Sequence, residues 1–383
     1  MVKSISLILP IYVTLMWALV FLFKRDSIKS ANKVLGLFML FATFLYCSHA
    51  IFFHQFYHLY SFIDSIYLLS LLSLYPLFYA YILLLTTHQI NTKKYLLHFL
   101  PAIILGLSSL ILNLALSPEE RVIYVKEILI ARNLKNLDLL TITGIKGMLF
   151  LLARITFIGQ VIVYLLLGIR LANKYNAWIN EYFSNTEGRR MNWIRDISII
   201  MLIVSIAGIA FSLIGRSYFA HKPMSLLVPS LLFSTTYFII GFNANQHEVI
   251  SENLVDINAE QEPKEPPNGQ ALVLKEKLLN LFEKEKIYTQ TELRITTLCE
   301  ELQTNRTYLS RLINTEFGMN FNEFVNQYRV REAERLLISD EHKSYTLEYI
   351  AEEAGFGTSN SFTRAFKEFR GITPGQFRKN GSS

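Results

Sequence analysis

Leu309-Ser310-Arg311 and Phe362-Thr363-Arg364 are two instances of one pattern, an apolar residue followed by a hydroxyl residue and an arginine. Each sits late in a longer match. LCEELQTNRTYLSRLINTEFG (Leu298–Gly318) aligns with IAEEAGFGTSNSFTRAFKEFRG (Ile350–Gly371), with one extra residue in the second copy. In both, an aliphatic and a small residue (Leu298-Cys299, Ile350-Ala351) precede two glutamates. A turn follows, at Gln303-Thr304 or at Gly355-Phe356-Gly357, and a glycine closes the copy as a C′ residue closes a helix. A single surface arginine reads as a solvated helix charge. Two at equivalent places in a repeat read as a pair with a shared recognition role. No catalytic constellation competes with them. The chain has no GxSxG, P-loop, HExxH or CxxC run, no zinc-like Cys/His spacing, and no evident His-kinase or receiver motif. An enzyme, a resident cofactor and a bound metal are therefore not expected.

Two elements must position those arginines. A small residue in the first helix of each copy lets a second helix cross close above it, which is the requirement of a helix-turn-helix. This predicts motifs at about 296–318 and 347–371. Between them, FNEFVNQYRVREAERLLI (321–338) places Phe321, Phe324, Val325, Tyr328, Ala333, Leu336 and Leu337 at helical spacing. Such a rod is about 27 Å long. It can hold two recognition helices about one DNA turn, roughly 34 Å, apart.

The segments YLSRLINTEFGMNFNEFVNQYRVREAERLL and YTLEYIAEEAGFGTSNSFTRAFKEFRGITPGQFR closely resemble the DNA-binding domain of AraC-type bacterial transcription regulators. The resemblance covers about 274–379 and leaves the rest of the chain unaddressed. It implies that the second helix of each copy enters a major groove of double-stranded DNA. The base-facing positions it implies are Thr307, Ser310 and Arg311 in the first copy, and Ser359, Asn360, Thr363 and Arg364 in the second. Arginine reads guanine bidentately, asparagine reads adenine, and serine and threonine are permissive. Arg306, Lys367 and Arg370 are placed for phosphates. Residues 271–383 hold 16 Lys/Arg against 16 Asp/Glu, so this region is neutral overall. Its basic footprint is local. Residues 358–383 carry Arg364, Lys367, Arg370, Arg378 and Lys379 against Glu368 alone, and non-specific affinity should be modest.

The first 243 residues have a different solvent. The whole chain is 51% hydrophobic and only 18% charged, with mean hydropathy +0.30, outside the range of ordinary soluble domains. That excess is concentrated in residues 1–243. Seven segments reach spanning length: Ile5–Phe23, Val34–Phe53, Tyr60–Thr86, Tyr95–Leu116, Gly147–Leu171, Asp196–Gly215 and Met224–Phe242. The first lacks a cleavage site and reads as a retained helix, not a signal peptide. Lys24, Arg25, Lys29, Lys33, Lys93, Lys94, Lys174, Arg189, Arg190 and Arg195 fall in loops on one side, which places the N-terminus outside and the C-terminal part in the cytoplasm. The predicted location is the bacterial inner membrane. Ser117-Pro118-Glu119-Glu120 opens the outer 117–146 loop with a capping box, and a short helix should present Val122, Val125, Ile128 and Leu129 on one face. Residues 244–270, acidic and proline-bearing, read as a flexible tether. Cys47 and Cys299 fall in different phases and are not expected to pair.

The outer halves of the segments hold polar residues that are costly in lipid. His49, Asp64, Asn113 and Arg154 share one side of the bilayer and form a candidate sensor pocket. The bland alternative is a structural Asp64–Arg154 pair. His54 and His58 have i, i+4 spacing suited to a metal or a pH switch, but beside Phe52, Phe53, Phe56, Tyr57 and Tyr60 they read as interfacial residues. The expected architecture is all-α, with a seven-helix membrane domain and a double helix-turn-helix domain joined by a tether. The expected function is a membrane-bound one-component regulator. A small-molecule or envelope signal, lipid, promoter DNA, RNA polymerase and a second copy of the chain would be its partners. The rival reading is a transporter or integral-membrane enzyme with an autoregulatory DNA-binding tail. A third is a regulator released by cleavage of the tether.

Overall fold

The computed structural model describes residues 2–24, 29–87, 92–132, 140–246, 270–339 and 344–381. Among these the chain is helical, and the one β contact is an isolated bridge between Phe183 and Arg294. The chain divides into two compact units. The first comprises residues 1–173 and 191–254, and the second 174–190 and 255–383. The tether expected at 244–270 lies almost wholly outside the described residues, apart from its first three residues and its last.

The first unit contains α1 (Val2–Phe23), α2 (Lys29–Phe53), α3 (Tyr57–Thr87), α4 (Thr92–Leu96), α5 (Leu100–Ala115) and α6 (Pro118–Ile123). The greater part of α7 (Ile142–Tyr182) follows, then α8 (Asn192–Ile214), α9 (Arg216–His221) and α10 (Leu227–Gln246). Seven of the described helices are long and apolar enough to cross a membrane. Their faces are inverted relative to an ordinary globular helix. On α5, Ile104, Leu107, Ile111 and Leu114 are exposed while Ser109 and Asn113 are buried. On α7, Ile155, Ile162 and Leu166 are exposed while Lys146 and Gln160 are buried. The interior is stitched by hydroxyls. Thr43 donates to Thr14 across α1 and α2 (3.0 Å), and Ser65 to Ser109 across α3 and α5 (3.2 Å). α10 lies so close to α1 that a Cβ on Gly241 would meet the Trp17 indole at 2.3 Å.

The Ser117 capping box forms, with both reciprocal hydrogen bonds to Glu120. The helix it starts continues as a π-helical turn over Tyr124–Ile130. Val125, Ile128 and Leu129 are buried there, against Phe52 and Tyr60, while Val122 is only half-buried.

Asp64 does not pair with Arg154. Its carboxylate lies 3.3 Å from the Lys146 ammonium, which also donates to Asn113 Oδ1 (2.8 Å) and stands over the Tyr124 ring at 4.4 Å. Asn113 in turn donates to the Ser61 carbonyl (2.6 Å). From sequence Lys146 counted as the last residue of an outer loop, but α7 begins at Ile142 and carries it inward to 1% exposure. Arg154 lies two turns further along α7, about 12 Å from Lys146 along the axis. It bonds the Ser212 hydroxyl and stacks on Phe150 at 5.0 Å.

The second unit contains α11 (Gln270–Glu283), α12 (Ile295–Glu301), α13 (Arg306–Phe317), α14 (Phe321–Ile338), α15 (Leu347–Glu353), α16 (Ser359–Arg370) and α17 (Pro374–Gly381). It has two cores, and α14 serves both. Phe321, Phe324 and Val325 close one core over Leu298, Leu309 and Phe282. Val330, Ala333, Leu336 and Leu337 close the other over Ile350, Phe362 and Phe366. Residues 174–190 belong to this unit and not to the apolar one; Glu181 bonds Ser310 and Asn314, Asn322 bonds the Ser184 carbonyl, and Tyr182 packs on the first core.

The buried Asp64–Lys146 pair makes a double-mutant prediction. Lys146→Met leaves an uncompensated carboxylate, a loss of about 3–5 kcal/mol. Asp64→Leu/Lys146→Met should recover most of that, read as thermal denaturation of the detergent-solubilised full chain. Additive losses in the double variant would show that the two do not act as a pair.

Candidate nucleic-acid interface

α13 and α16 are built alike. Asn305 caps α13 by accepting from the Tyr308 amide (3.0 Å), and Thr358 caps α16 in a reciprocal arrangement with Ser361. Both helices end on a left-handed glycine, Gly318 and Gly371. α13 buries Leu309, Leu312 and Ile313. α16 buries Phe362, Ala365 and Phe366. What remains on α16 is a polar face. Ser359, Asn360, Thr363, Arg364 and Lys367 are all exposed. The i, i+4, i+7 spacing of Asn360, Arg364 and Lys367 keeps those three on one stripe.

Copy one differs. Arg311 is exposed, but Arg306, Thr307 and Ser310 are half-buried. The cover comes from the end of α7. The Glu181 carboxylate accepts from Ser310 Oγ (2.7 Å) and Asn314 Nδ2 (3.3 Å). Arg306 lies beside Glu181 and Tyr182, and burial there holds its pKa below the ordinary arginine value.

Arg370, expected at a phosphate, is engaged on the protein itself. Its guanidinium grips Glu334 of α14 with two N–H donors, one at 2.6 Å, and that bonding raises its pKa. The fork takes two of the five guanidinium N–H donors and offsets the charge, which weakens Arg370 as a phosphate contact. Residue spacing placed Arg370 next to Lys367 but gave no sign of Glu334, 36 positions earlier.

The two copies are tied together by a residue that spacing alone did not single out. Arg329 on α14 is 1% exposed. Its guanidinium donates to the carbonyls of Tyr288 (2.7 Å) and Gln290 (2.7 Å), to Thr291 O (3.4 Å) and to Ser184 Oγ (3.1 Å), and stacks over Phe356 at 5.8 Å. Burial pushes its pKa down to about 9, still above neutrality, so the group stays charged. The signal was present. Val325, Arg329 and Ala333 are i, i+4, i+8, so the arginine lies on the apolar stripe. The clamped segment meets the turn of copy two. Gly355 has φ +88°, and a Cβ there would lie 2.6 Å from the Tyr288 carbonyl oxygen.

In the other unit the candidate sensor residues are brought near one another through aromatic rings. The half-buried His49 ring packs on Tyr67 (5.4 Å) and Tyr46 (6.0 Å). Arg216 stands over Phe52 (4.6 Å), Tyr67 (5.6 Å) and Phe150 (5.7 Å), and Arg154 shares the Phe150 ring. Asp64 and Asn113 are joined through Lys146. Arg216 and Lys146, both assigned to loops from sequence, are therefore part of the cluster. His54 and His58 are exposed, and no group of three or more potential metal ligands occurs among the described residues.

Residues 298–380 match the family model described as a helix-turn-helix domain. The chain is 33% identical over 94 residues to an uncharacterized HTH-type transcriptional regulator, YtdP, of Bacillus subtilis; the match covers 24% of this chain and 12% of that protein. It is 25% identical over 158 residues to the HTH-type transcriptional activator RhaR of Escherichia coli, covering 41% of this chain and 48% of RhaR. Among solved structures, the C-terminal domain of the two-component response regulator yesN from Fusobacterium nucleatum is 33% identical, with 27% of this chain and 96% of that chain covered and a TM-score of 0.25. The chain thus spans less than half the length of these curated relatives. The C-terminal region is an AraC-type helix-turn-helix DNA-binding domain, and the relatives it matches are transcription regulators, not enzymes.

Arg329 should resist even its usual conservative exchange. Lysine offers a point charge where a planar fork meets separate carbonyls. Each lost bond to a charged donor is worth about 1.5–3 kcal/mol. Arg329→Lys should therefore accelerate amide exchange at 287–291 and in α15–α16 of the full chain. Wild-type exchange in both places would show that the clamp is dispensable.

Proposed function

We propose that this chain is a membrane-bound one-component transcription regulator. Its seven apolar helices receive a signal at the membrane, and its C-terminal domain reads promoter DNA through α13 and α16. One observation carries the reading: a single chain joins a helix-turn-helix unit to a unit that buries Asp64, Lys146 and Asn113 and turns Ile104, Ile155 and Leu166 outward. That inverted polarity suits a hydrocarbon solvent, in which polar groups must find partners inside the protein. The lysine and arginine distribution supports an outside N-terminus and a cytoplasmic C-terminal domain.

Base reading rests on Thr307, Ser310 and Arg311 of α13 and on Ser359, Asn360, Thr363 and Arg364 of α16, with Arg306 and Lys367 on phosphates. Signal reception rests on the cluster of His49, Asp64, Asn113 and Arg154, extended by Lys146 and Arg216. Its cationic side chains outnumber its single carboxylate, which favours an anionic or π-rich ligand.

Two measurements test this. A reporter active only in the periplasm should be silent when fused after Ser383 and active when inserted between residues 133 and 139. Activity at Ser383 would place the DNA-binding domain away from the chromosome and end the proposal. In the full chain, Arg364→Ala should weaken binding to a selected duplex by about 1–3 kcal/mol and relax preference at one base pair. Equal loss on random and selected DNA would reduce Arg364 to a phosphate contact.

A further inference from the structure

We propose that residues 180–190, the end of α7 and the loop after it, are a built-in competitor of DNA that covers part of the reading side of the first helix-turn-helix copy and occupies the N-terminal cap of α16 in the second. The inference rests on the reading of α13 and α16 as recognition helices.

In copy one, Glu181 takes the hydrogen-bonding capacity of Ser310 and Asn314, near the half-buried Arg306. In copy two, the Glu187 carboxylate accepts from the Thr358 hydroxyl, at the N-terminus of α16. Free amides and the helix dipole make such an end a natural seat for a phosphate. Arg190 lines the same cleft as Arg364, together with Asn180, Ser184 and Glu368. Two carboxylates of one segment therefore sit where a duplex would bring its own anionic oxygens. A phosphate brought to the positions of Glu181 or Glu187 meets like charge in place of the donors it needs, a local exclusion, since Arg189 and Arg190 leave the segment net neutral.

The segment is held in a way that permits exchange. Its outer bonds are polar and near the surface, while Ser184 and Thr186 are buried and Ser184 bonds Arg329 and the Leu293 carbonyl. Asn322 donates to the Ser184 carbonyl (2.6 Å), Asn185 to Glu292 (3.1 Å) and Arg189 to Glu292 (2.6 Å). Its apolar anchors are Tyr182, which packs on the first core, and Phe183, which is buried. Water can replace most of the polar set when the segment leaves. The segment is also the direct continuation of α7, one of the seven apolar helices, so a signal that displaces or turns the end of α7 acts on the competitor with no intermediate carrier.

The test uses the full chain in detergent and a random-sequence duplex pool. Selection is run in parallel on wild type and on Glu181→Ala/Glu187→Ala, and affinities for the selected duplex are then compared. Both proteins should enrich the same motif, with the double variant binding it roughly tenfold tighter or more, as expected when a charge-assisted block is lifted. Adding Arg364→Ala should abolish the gain. Equal or weaker binding by the double variant, with a shared motif, would overturn the competitor and leave the DNA-binding reading standing. No enrichment with either protein would overturn both. A second measurement needs no substitution. Amide exchange across 180–190 of wild type should speed up when the selected duplex saturates the protein. Unchanged or slower exchange would refute displacement.

Discussion

A charged guanidinium buried in the DNA-binding unit must find oxygen or it cannot stay buried. Arg329 finds it on the backbone at 288–291, and much else in the unit follows from that requirement. The segment it clamps is the floor for the Gly355 turn, whose positive φ and 2.6 Å approach leave no room for a side chain. Phe356, the next residue, stacks over the same guanidinium and belongs to the second core. Tyr288, whose carbonyl receives the Nε–H, belongs to the first. One side chain on α14 thus ties both cores to one place, and the relative setting of α13 and α16 is fixed there as well as by the length of the rod between them.

The parts of this arrangement visible in the sequence are those set by local rules. Helical spacing places a helix over 321–338, and α14 occupies that range. The capping box at Ser117 and the C′ glycines at 318 and 371 are each decided within four or five residues. Three features escaped because they depend on partners far along the chain. Glu334 takes Arg370 from 36 positions away, Asp64 takes Lys146 from 82, and Ser184 reaches Arg329 from 145. The Lys146 error had a specific cause. The apolar count opened that helix at Gly147, whereas hydrogen bonding carries α7 back to Ile142, and a residue read as loop became a buried partner. The role of 174–190 was hidden for the opposite reason. A helix that changes from apolar to polar after Ala172 looks, by composition, as if it has ended.

Charge in the DNA-binding unit is also less free than its count implies. Arg370 is held by Glu334, Lys275 lies 2.6 Å from Glu316, and Lys286 and Arg335 share Glu332. Four of the sixteen Lys/Arg in residues 271–383 are thus held by carboxylates, and the sixteen Asp/Glu of the same range leave no net positive charge to attract a phosphate backbone from every direction. A domain with little general attraction to DNA must take its affinity from a small number of oriented contacts. Any cover over those contacts is then costly to binding, because no diffuse electrostatic term makes up the loss.

That sensitivity gives α7 its weight. It runs over Ile142–Tyr182, and its residues from Lys174 onward belong to the DNA-binding unit. Its earlier turns present Ile155, Ile162 and Leu166 outward, and its last turn carries Asn180 and Glu181. A helix transmits rotation as well as translation along its axis, whereas a coil of the same length would lose both to its own entropy. One residue of register on a helix turns a side chain by about 100°. A rotation of that order is enough to carry the Glu181 carboxylate off Ser310 and Asn314, since a hydrogen bond weakens steeply once its geometry departs from line. Under the proposed reading, the distance between an occupied and an open recognition helix is a fraction of a turn in the last residues of α7.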